Sequence, residues 1–472
     1  MLGREHESAL LMDATATGQS ELIAVIGRRR VGKTFMIKTV YEKQLRFYQT
    51  GMKDGVKEVQ LKHFSEKLAE YAKTNIPLKT PETWTEAFGQ LKKHLIAYKG
   101  KTKQVIFFDE VPWLATHKSG FLEALDYFWN DWASTANIVV VICGSAASWM
   151  LEHIANSKGG LHNRLTRLIR LNPFTLSETK AYLTSRGVQL DHYQLSQIFM
   201  AMGGIPHYLK EIKPGESATQ NINRICFEKD GILTNEFQNL YAALFDHSHN
   251  HVEIVRALSQ KWKGLTRQEI IEATKFTNGG GLTKVLTELE ESSFISTTLP
   301  FGKKKRETLY RLSDEYTLFY FAFIEKNTSE KKETWLSLTK SSAYQLWAGY
   351  AFENLCLKHI AGIKKALGIS GIFTNESGFI MKGTAVHPGL QIDLLIDRDD
   401  RVINICEMKY YNAEFELTKE YAQKLRMKRE RFKNATGTKK HLFLTVITTY
   451  GLIHNEHSLG LVEKVVTLDE MF

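Results

Sequence analysis

Eight residues, Gly27-Arg-Arg-Arg-Val-Gly32-Lys33-Thr34, constrain this chain more tightly than any other stretch of it. They fit G-x-x-x-x-G-K-[ST], in which glycines let successive backbone N–H groups curl around a phosphate and the next helix adds its positive dipole end. The cradle runs through Gly27, Arg28, Arg29, Arg30, Val31, Gly32, Lys33 and Thr34 to the following Phe35. In such a loop the lysine reaches the β- and γ-phosphates and the threonine hydroxyl ligates magnesium. The three arginines hold variable positions whose side chains point away from the phosphates, which suits solvated or partner-facing roles. ELIAVI before the loop reads as a buried strand and FMIKTVYEKQL after it as a helix, the order the mechanism requires. With glycine at about 7% of residues, a chance match in a chain of this length has odds of roughly 1–2%. The expected ligands are ATP and Mg²⁺.

A second apolar run, Lys103-Gln-Val-Ile-Phe-Phe-Asp109-Glu110, ends in two acids. An aspartate there holds magnesium through water, and the adjacent glutamate orients or deprotonates the attacking water. Apolar residues before Asp-Glu also close many ordinary strands; the phosphate loop upstream is what turns this pair into a Walker B pattern. A third run, Asn137-Ile-Val-Val-Val-Ile-Cys143, delivers Gly144-Ser145 to the same expected carboxyl edge, where open parallel sheets collect ligands. Ser145 is then a sensor of the γ-phosphate, or simply a small residue suited to turning.

A chain of 472 residues exceeds one ordinary core and implies several domains at about 100–200 residues each. Hydrophobic content of 43% and charged content of 24% are those of globular proteins, and no apolar run approaches the roughly 20 residues that span a bilayer. No membrane partner is expected. The N-terminus has no basic-then-apolar leader, and Cys143, Cys226, Cys356 and Cys406 are scattered without a C-x-x-C pair, a pattern that points to a reducing cytoplasm and away from structural zinc. The net charge of +10 suits a polyanionic partner without identifying one.

Between residues 251 and 324 the pattern changes. HVEIVRALSQKW, LTRQEIIEATKF and GGGLTKVLTELEESSFI read as three amphipathic helices, and ISTTLPFGKKKRETLYRLSD as a β-hairpin. That order resembles a winged helix-turn-helix, with a recognition helix from Gly281 to Glu291 and Lys303-Lys304-Lys305-Arg306 at the wing tip. The helix carries Glu288, Glu290 and Glu291, so the wing is the expected phosphate contact and a protein-binding role for the module stays open.

After the polar connector EKNTSEKKETW, the runs GLQIDLLID and VINICEMKYY read as two strands joined at Arg398-Asp-Asp-Arg401. Glu407 and Lys409, two residues apart, face one side of the second strand, because strand side chains alternate. Asp393 of the first strand comes alongside. Two carboxylates from neighbouring strands make a hard oxygen site for Mg²⁺, which lowers the pKa of bound water, while the lysine positions that water and offsets charge. Residues 424–440 hold eight basic residues and one acid, a solvated face or a phosphate track. Gln423 is a candidate support for the site.

Taken together, GRE at residues 3–5, GRRRVGKTF, FFDEVPWL, VICGSAASWM, LHNRLTRLIRLNPF and GGIPHYL resemble the archaeal-type ATPases of the AAA+/STAND branch. The resemblance implies that Arg164 and Arg167 meet nucleotide charge within the subunit or across an interface, that Pro206 belongs to a lid reporting nucleotide state, and that a homo-oligomer is an open possibility; plain solvation or an internal salt bridge is the other reading of the two arginines. The end of the chain resembles the PD-(D/E)XK, or restriction-endonuclease-like, core, with Glu353 of GYAFENLCLKH as its helical glutamate and Ile392 where the family name shows proline. Glu110, Glu353, Asp393, Glu407 and Lys409 are thus the expected catalytic residues, and Thr34, Asp109, Asp393 and Glu407 the expected metal ligands. The fold expected is multidomain α/β: a P-loop NTPase parallel sheet (1–170), a helical lid (171–248), a winged helix-turn-helix (249–325), a linker (326–342) and a restriction-endonuclease-like α/β domain (343–472). The expected function is that of an ATPase which binds DNA and cleaves it; the alternative is a nucleotide-gated DNA- or protein-binding regulator whose nuclease-like domain does not cut.

Overall fold

Strand β1 (Glu21–Ile26) is buried at all six positions, as a strand covered by helices on both faces must be, and this explains its unbroken apolar run. Strands β3 (Gln104–Asp109) and β4 (Ile138–Gly144) of the same sheet carry similar buried apolar runs. With β2 (Leu45–Thr50) and β5 (Arg167–Arg170) they form a parallel sheet in the order β2-β3-β4-β1-β5. These coordinates come from a computed structural model that describes residues 3–74, 78–156, 160–327, 334–383 and 388–472. The chain divides into two compact units, Met1–Pro173 and Phe174–Phe472.

In the first unit, helices Lys57–Ala72, Trp84–Ile96 and Phe121–Asp131 cover one face of the sheet through an aromatic core. Trp84 meets Phe121 edge-on at 4.9 Å and Phe88 meets Phe108 of β3 at 5.5 Å, geometries that favour the ring quadrupoles. Phe121, Leu125 and Phe128, at helical spacing, are all buried in that core. Because β4 lies between β1 and β3, the loop after β1, the acids ending β3 and Ser145 after β4 converge on one carboxyl edge.

The second unit opens with helices that start on side-chain caps: Thr175 and Ser217 in capping boxes and Asp191 on the Gln194 amide, each satisfying otherwise orphaned N–H groups. Helix Ser248–Gln260, the short strand β6 (Leu265–Thr266), helices Arg267–Ala273 and Gly280–Glu291, and strands β7 (Ile295–Thr298) and β8 (Leu309–Leu312) follow, the strands pairing in the order β6-β8-β7. A mixed sheet ends the chain. Strands β9 (Thr374–Met381), β10 (Leu390–Arg398), β11 (Val402–Lys409), β12 (His441–Thr448) and β13 (Lys464–Thr467) are ordered β13-β12-β11-β10-β9, antiparallel from β9 to β11 and parallel from β11 to β13. Helix Lys419–Thr436 closes the β11–β12 crossover, burying Ala422, Leu425 and Phe432 against the sheet.

The connector is less linker-like than its composition suggests. Its residues 328–333 lie outside the described residues, but Trp335 is 2% exposed and packs on Phe319 at 4.9 Å and Phe227 at 5.6 Å. A single aromatic anchor outweighs the polar residues before it.

Candidate functional site

The residues predicted to hold a phosphate come together at the end of β1. Gly27 (φ 151°) and Gly32 (φ 92°) occupy backbone conformations that L side chains rarely adopt, and a Cβ on Gly27 would lie 2.2 Å from the Leu171 carbonyl oxygen. Gly32 leads directly into helix Lys33–Val40, whose N-terminus aims its dipole at the loop. Lys33 is buried and its Nζ donates to the carbonyls of Gly27 (2.7 Å) and Arg28 (3.0 Å) and to Ser145 Oγ (2.9 Å). Thr34 Oγ1 donates to Asp109 Oδ2 at 2.5 Å. Two hard oxygens thus meet at a helix N-terminus, a donor set that fits Mg²⁺.

Glu110 follows Asp109 in a left-handed conformation (φ 48°, ψ 50°), the kind of local strain that recurs at functional sites. The turn aims its carboxylate at Ser145, from which it accepts two bonds, N–H to Oε2 at 3.0 Å and Oγ–H to Oε1 at 2.5 Å. Lys33, Ser145 and Glu110 therefore form one hydrogen-bonded chain. Sequence spacing brought these residues to one edge; their direct connection was not legible, because it depends on the turn at Glu110.

The remaining loop residues separate. Arg28 and Val31 are buried, Arg29 and Arg30 half-buried, and Phe35 is 68% exposed. Arg164 is exposed at the end of the turn Gly160–Arg164. Arg167 takes the internal one of its two expected roles: it opens β5 opposite Ile23, midway along β1, and its Nη1 donates to the Leu10 carbonyl at 3.1 Å. That level lies three residues before the end of β1, and the contact braces helix Glu5–Ala16. Arg4 of the GRE stretch, unassigned by the sequence reading, donates to the carbonyls of Val31 (3.3 Å) and Asn172 (2.7 Å) and so ties the loop to the end of the sheet. Pro206 lies in the second unit, where it opens the turn Pro206–Leu209.

Residues 2–212 match the family described as an ATPase domain predominantly from Archaea. They form an archaeal-type ATPase domain. An uncharacterized protein of Methanocaldococcus jannaschii is 25% identical over 420 residues, covering 86% of this chain and 87% of its own. The Walker-type ATPase of Pyrococcus abyssi shares the fold, with a TM-score of 0.51 at 18% identity over 67% of this chain and 95% of that one. The ORC2 protein of Aeropyrum pernix, in ADPNP–ADP complexes, gives 0.45 at 15% identity over 67% of this chain and 92% of that one. An ATPase domain implies nucleotide binding, usually with Mg²⁺, and the loop geometry of this one suits both. Among the described residues no helix is long and apolar enough to cross a membrane.

Outside the ATPase domain, the C-terminal carboxylates also gather. Leu394 of β10 lies opposite Cys406 of β11, so Asp393 and Glu407 are the residues next to that pair on the two adjoining strands. Gln391 Nε2 donates to Asp393 Oδ1 at 2.9 Å. Glu353, on helix Ser342–Lys358, keeps a buried Oε2 with no hydrogen-bond partner among the described residues. Burial, then the Asp393 charge, raises its pKa well above the carboxylate range, although Arg311 and Lys263 oppose the shift.

Glu407 has the opposite environment. Lys409 Nζ lies 3.1 Å from its Oε1, Lys428 Nζ donates to Oε2 at 2.7 Å and the Tyr421 hydroxyl donates to Oε1. Burial alone would raise its pKa, but Lys428, Lys409 and the hydrogen bonds prevail and hold it down at about 2. Gln423 is exposed and is not the helix's contribution; Tyr421 and Lys428 are. Their seven-residue separation, two helical turns, puts them on one face, a signal the sequence offered. No group of three or more His, Cys, Asp or Glu residues positioned to hold a metal occurs among the described residues; Asp393 and Glu407 form a pair, with Glu353 coupled to them through charge.

Proposed function

We propose that the chain uses ATP hydrolysis in residues 2–212 to control the binding and metal-dependent cleavage of a nucleic acid by its second unit. At the nucleotide end, Lys33 and the backbone of the loop bind the phosphates, and Thr34 and Asp109 would hold Mg²⁺. The ion, when bound, neutralises charge on the transferring phosphoryl group. Glu110 orients and deprotonates the attacking water. Its link to Ser145, itself bonded to Lys33, supports a coupled response: a γ-phosphate competes for the same Lys33 and Ser145 protons and so releases the Glu110 carboxylate.

At the other end, one observation carries the nuclease reading: Asp393, Glu407 and Lys409 stand side by side on adjacent strands of a mixed sheet, with Glu353 on the preceding helix charge-coupled to both acids. Asp393 and Glu407 would hold a divalent ion, which supplies an activated water. Lys409 offsets charge as the phosphodiester is attacked. The helices and strands of residues 248–312 run in winged-helix order, and Lys303–Arg306 lie on their hairpin, which supports a DNA-facing role.

One feature favours the alternative, a regulator that binds without cutting. Both oxygens of Glu407 are already engaged, by Lys409 and Tyr421 on one side and Lys428 on the other. The test is incubation of the full chain with single-stranded, duplex and branched DNA, and with RNA, in Mg²⁺ or Mn²⁺. Cutting that Asp393→Ala removes while ATP turnover persists supports the nuclease; a wild-type chain that hydrolyses ATP but cuts none of these substrates supports the regulator.

A further inference from the structure

Beside Asp393 lies a pocket of about 490 Å³ built jointly by the β6–β8 segment and the C-terminal sheet. The two are knitted together: the Phe301 amide, in the β7–β8 loop, donates to the Gly378 carbonyl of β9 at 2.7 Å, and the Phe301 ring lies 5.6 Å from Phe432. Arg311 of β8 lines this pocket and is only 6% exposed. Its Nη2 donates to Asn354 Oδ1 at 3.2 Å, while its Nε has no hydrogen-bond partner among the described residues. Ser377 Oγ of β9, on the same pocket, is equally buried and unpartnered. A buried guanidinium N–H and a buried hydroxyl with no acceptor among the described residues are costly unless something accepts from them. Lys263 adds an exposed positive charge to the rim.

The pocket continues into a larger cleft of about 1510 Å³, with Lys263 and Gln391 lining both. This cleft carries Lys305, Arg306 and Lys382 together with the rings of Trp262, Tyr310 and Tyr350. Trp262 stands 4.9 Å from Tyr350, edge-on, and the Tyr350 hydroxyl is buried with no partner among the described residues. Positive charge interleaved with aromatic faces is the recognition chemistry of unpaired nucleic acid: the cations follow the phosphates and the rings stack bases that a duplex keeps inside.

We propose that the cleft takes a single nucleic-acid strand and that Arg311 and Ser377 receive one of its phosphates in the pocket beside Asp393. This rests on the nuclease reading for what happens next, but the binding itself does not require cutting. It makes the segment of residues 260–312 part of the substrate site instead of a separate DNA-binding module. Arg311 is then a phosphate-binding residue and Trp262 a stacking platform.

The test is binding of a fluorescein-labelled oligothymidylate and of a blunt duplex of equal length to the full chain in EDTA, read by anisotropy across a salt series. We expect the single strand to bind at least tenfold more tightly than the duplex. Lys263→Ala and Arg311→Gln should each lower the slope of log K against log salt by about 0.7, the value for one single-strand phosphate contact. Trp262→Ala should weaken binding by roughly tenfold, the scale of one lost base stack. Lys263 is exposed, so its variant tests the assignment even if Arg311→Gln fails to fold; retained ATP turnover checks the rest of the chain. Equal or tighter duplex binding, or variants that bind the strand as the wild type does, would overturn the inference while leaving any observed cleavage intact. If strand binding behaves as expected and the wild type never cuts, the inference stands and the nuclease reading falls.

Discussion

Replacing Glu407 and Glu353 with glutamine should change stability in opposite directions, although each carboxyl feels the other's charge. Glu407 has a pKa depressed from 4.5 to about 2, because Lys428, Lys409 and Tyr421 together overcome its burial. A depressed carboxylate contributes stability above its unfolded pKa. Here the contribution is complete above about pH 4.5 and is lost as pH falls through about 2. At about 1.4 kcal/mol per pKa unit the shift is worth about 3 kcal/mol at neutral pH, comparable to breaking a buried ion pair. Glu407→Gln should therefore destabilise the C-terminal sheet by about that amount at pH 7 and by almost nothing at pH 2. Glu353, raised by burial and by Asp393, has the reverse sign: its destabilising effect grows as pH rises above 4.5, so Glu353→Gln should stabilise the same sheet at neutral pH. Because a two-unit chain need not unfold in one step, the assay is hydrogen exchange of the β10–β12 amides across pH, with calorimetry alongside. A Glu407→Gln variant as protected as the wild type at pH 7, or a Glu353→Gln variant that loses protection, would show that these charges do not set the sheet's stability.

Further expectations concern the first unit. Gly27→Ala should abolish nucleotide binding, because its Cβ would fall 2.2 Å from the Leu171 carbonyl; calorimetric titration with ATP checks this. Ser145→Ala removes both donors-to-acceptor links between Lys33 and Glu110 that pass through its hydroxyl and should lower kcat by tenfold or more, the scale of acid–base positioning, with KM little changed. Arg167→Ala should loosen helix Glu5–Ala16 by about 1 kcal/mol, the value of one hydrogen bond, without altering KM for ATP; a raised KM would restore its predicted place beside the nucleotide.

The parts of the site that local pattern specifies were legible before the structure. An apolar run ending in glycines, another ending in Asp109-Glu110 and a third delivering Ser145 demand a parallel sheet, since only strands buried on both faces are so uniformly apolar. The alternation that sets Glu407 and Lys409 on one face is equally local. What could not be read depends on contacts distant in sequence. Arg167 lies in the right segment but at the wrong end of its strand, a matter of register against β1. Tyr421 and Lys428 share a helical face, yet nothing in their spacing says that the face covers Glu407. Arg311 reads as an ordinary strand arginine until β8 is packed beside Asn354. Trp335 ends a polar stretch, and only the aromatic cluster that receives it shows that the chain is anchored there.

The claim on which the account rests is that ATP is bound and hydrolysed at Gly27–Thr34 with Glu110 as the base. Parallel measurement of ATP binding and phosphate release for the wild type, Lys33→Ala and Glu110→Gln tests it directly. The expected result is turnover by the wild type, neither binding nor turnover by Lys33→Ala, and binding without turnover by Glu110→Gln. Phosphate release by Lys33→Ala or Glu110→Gln at the wild-type rate would contradict it.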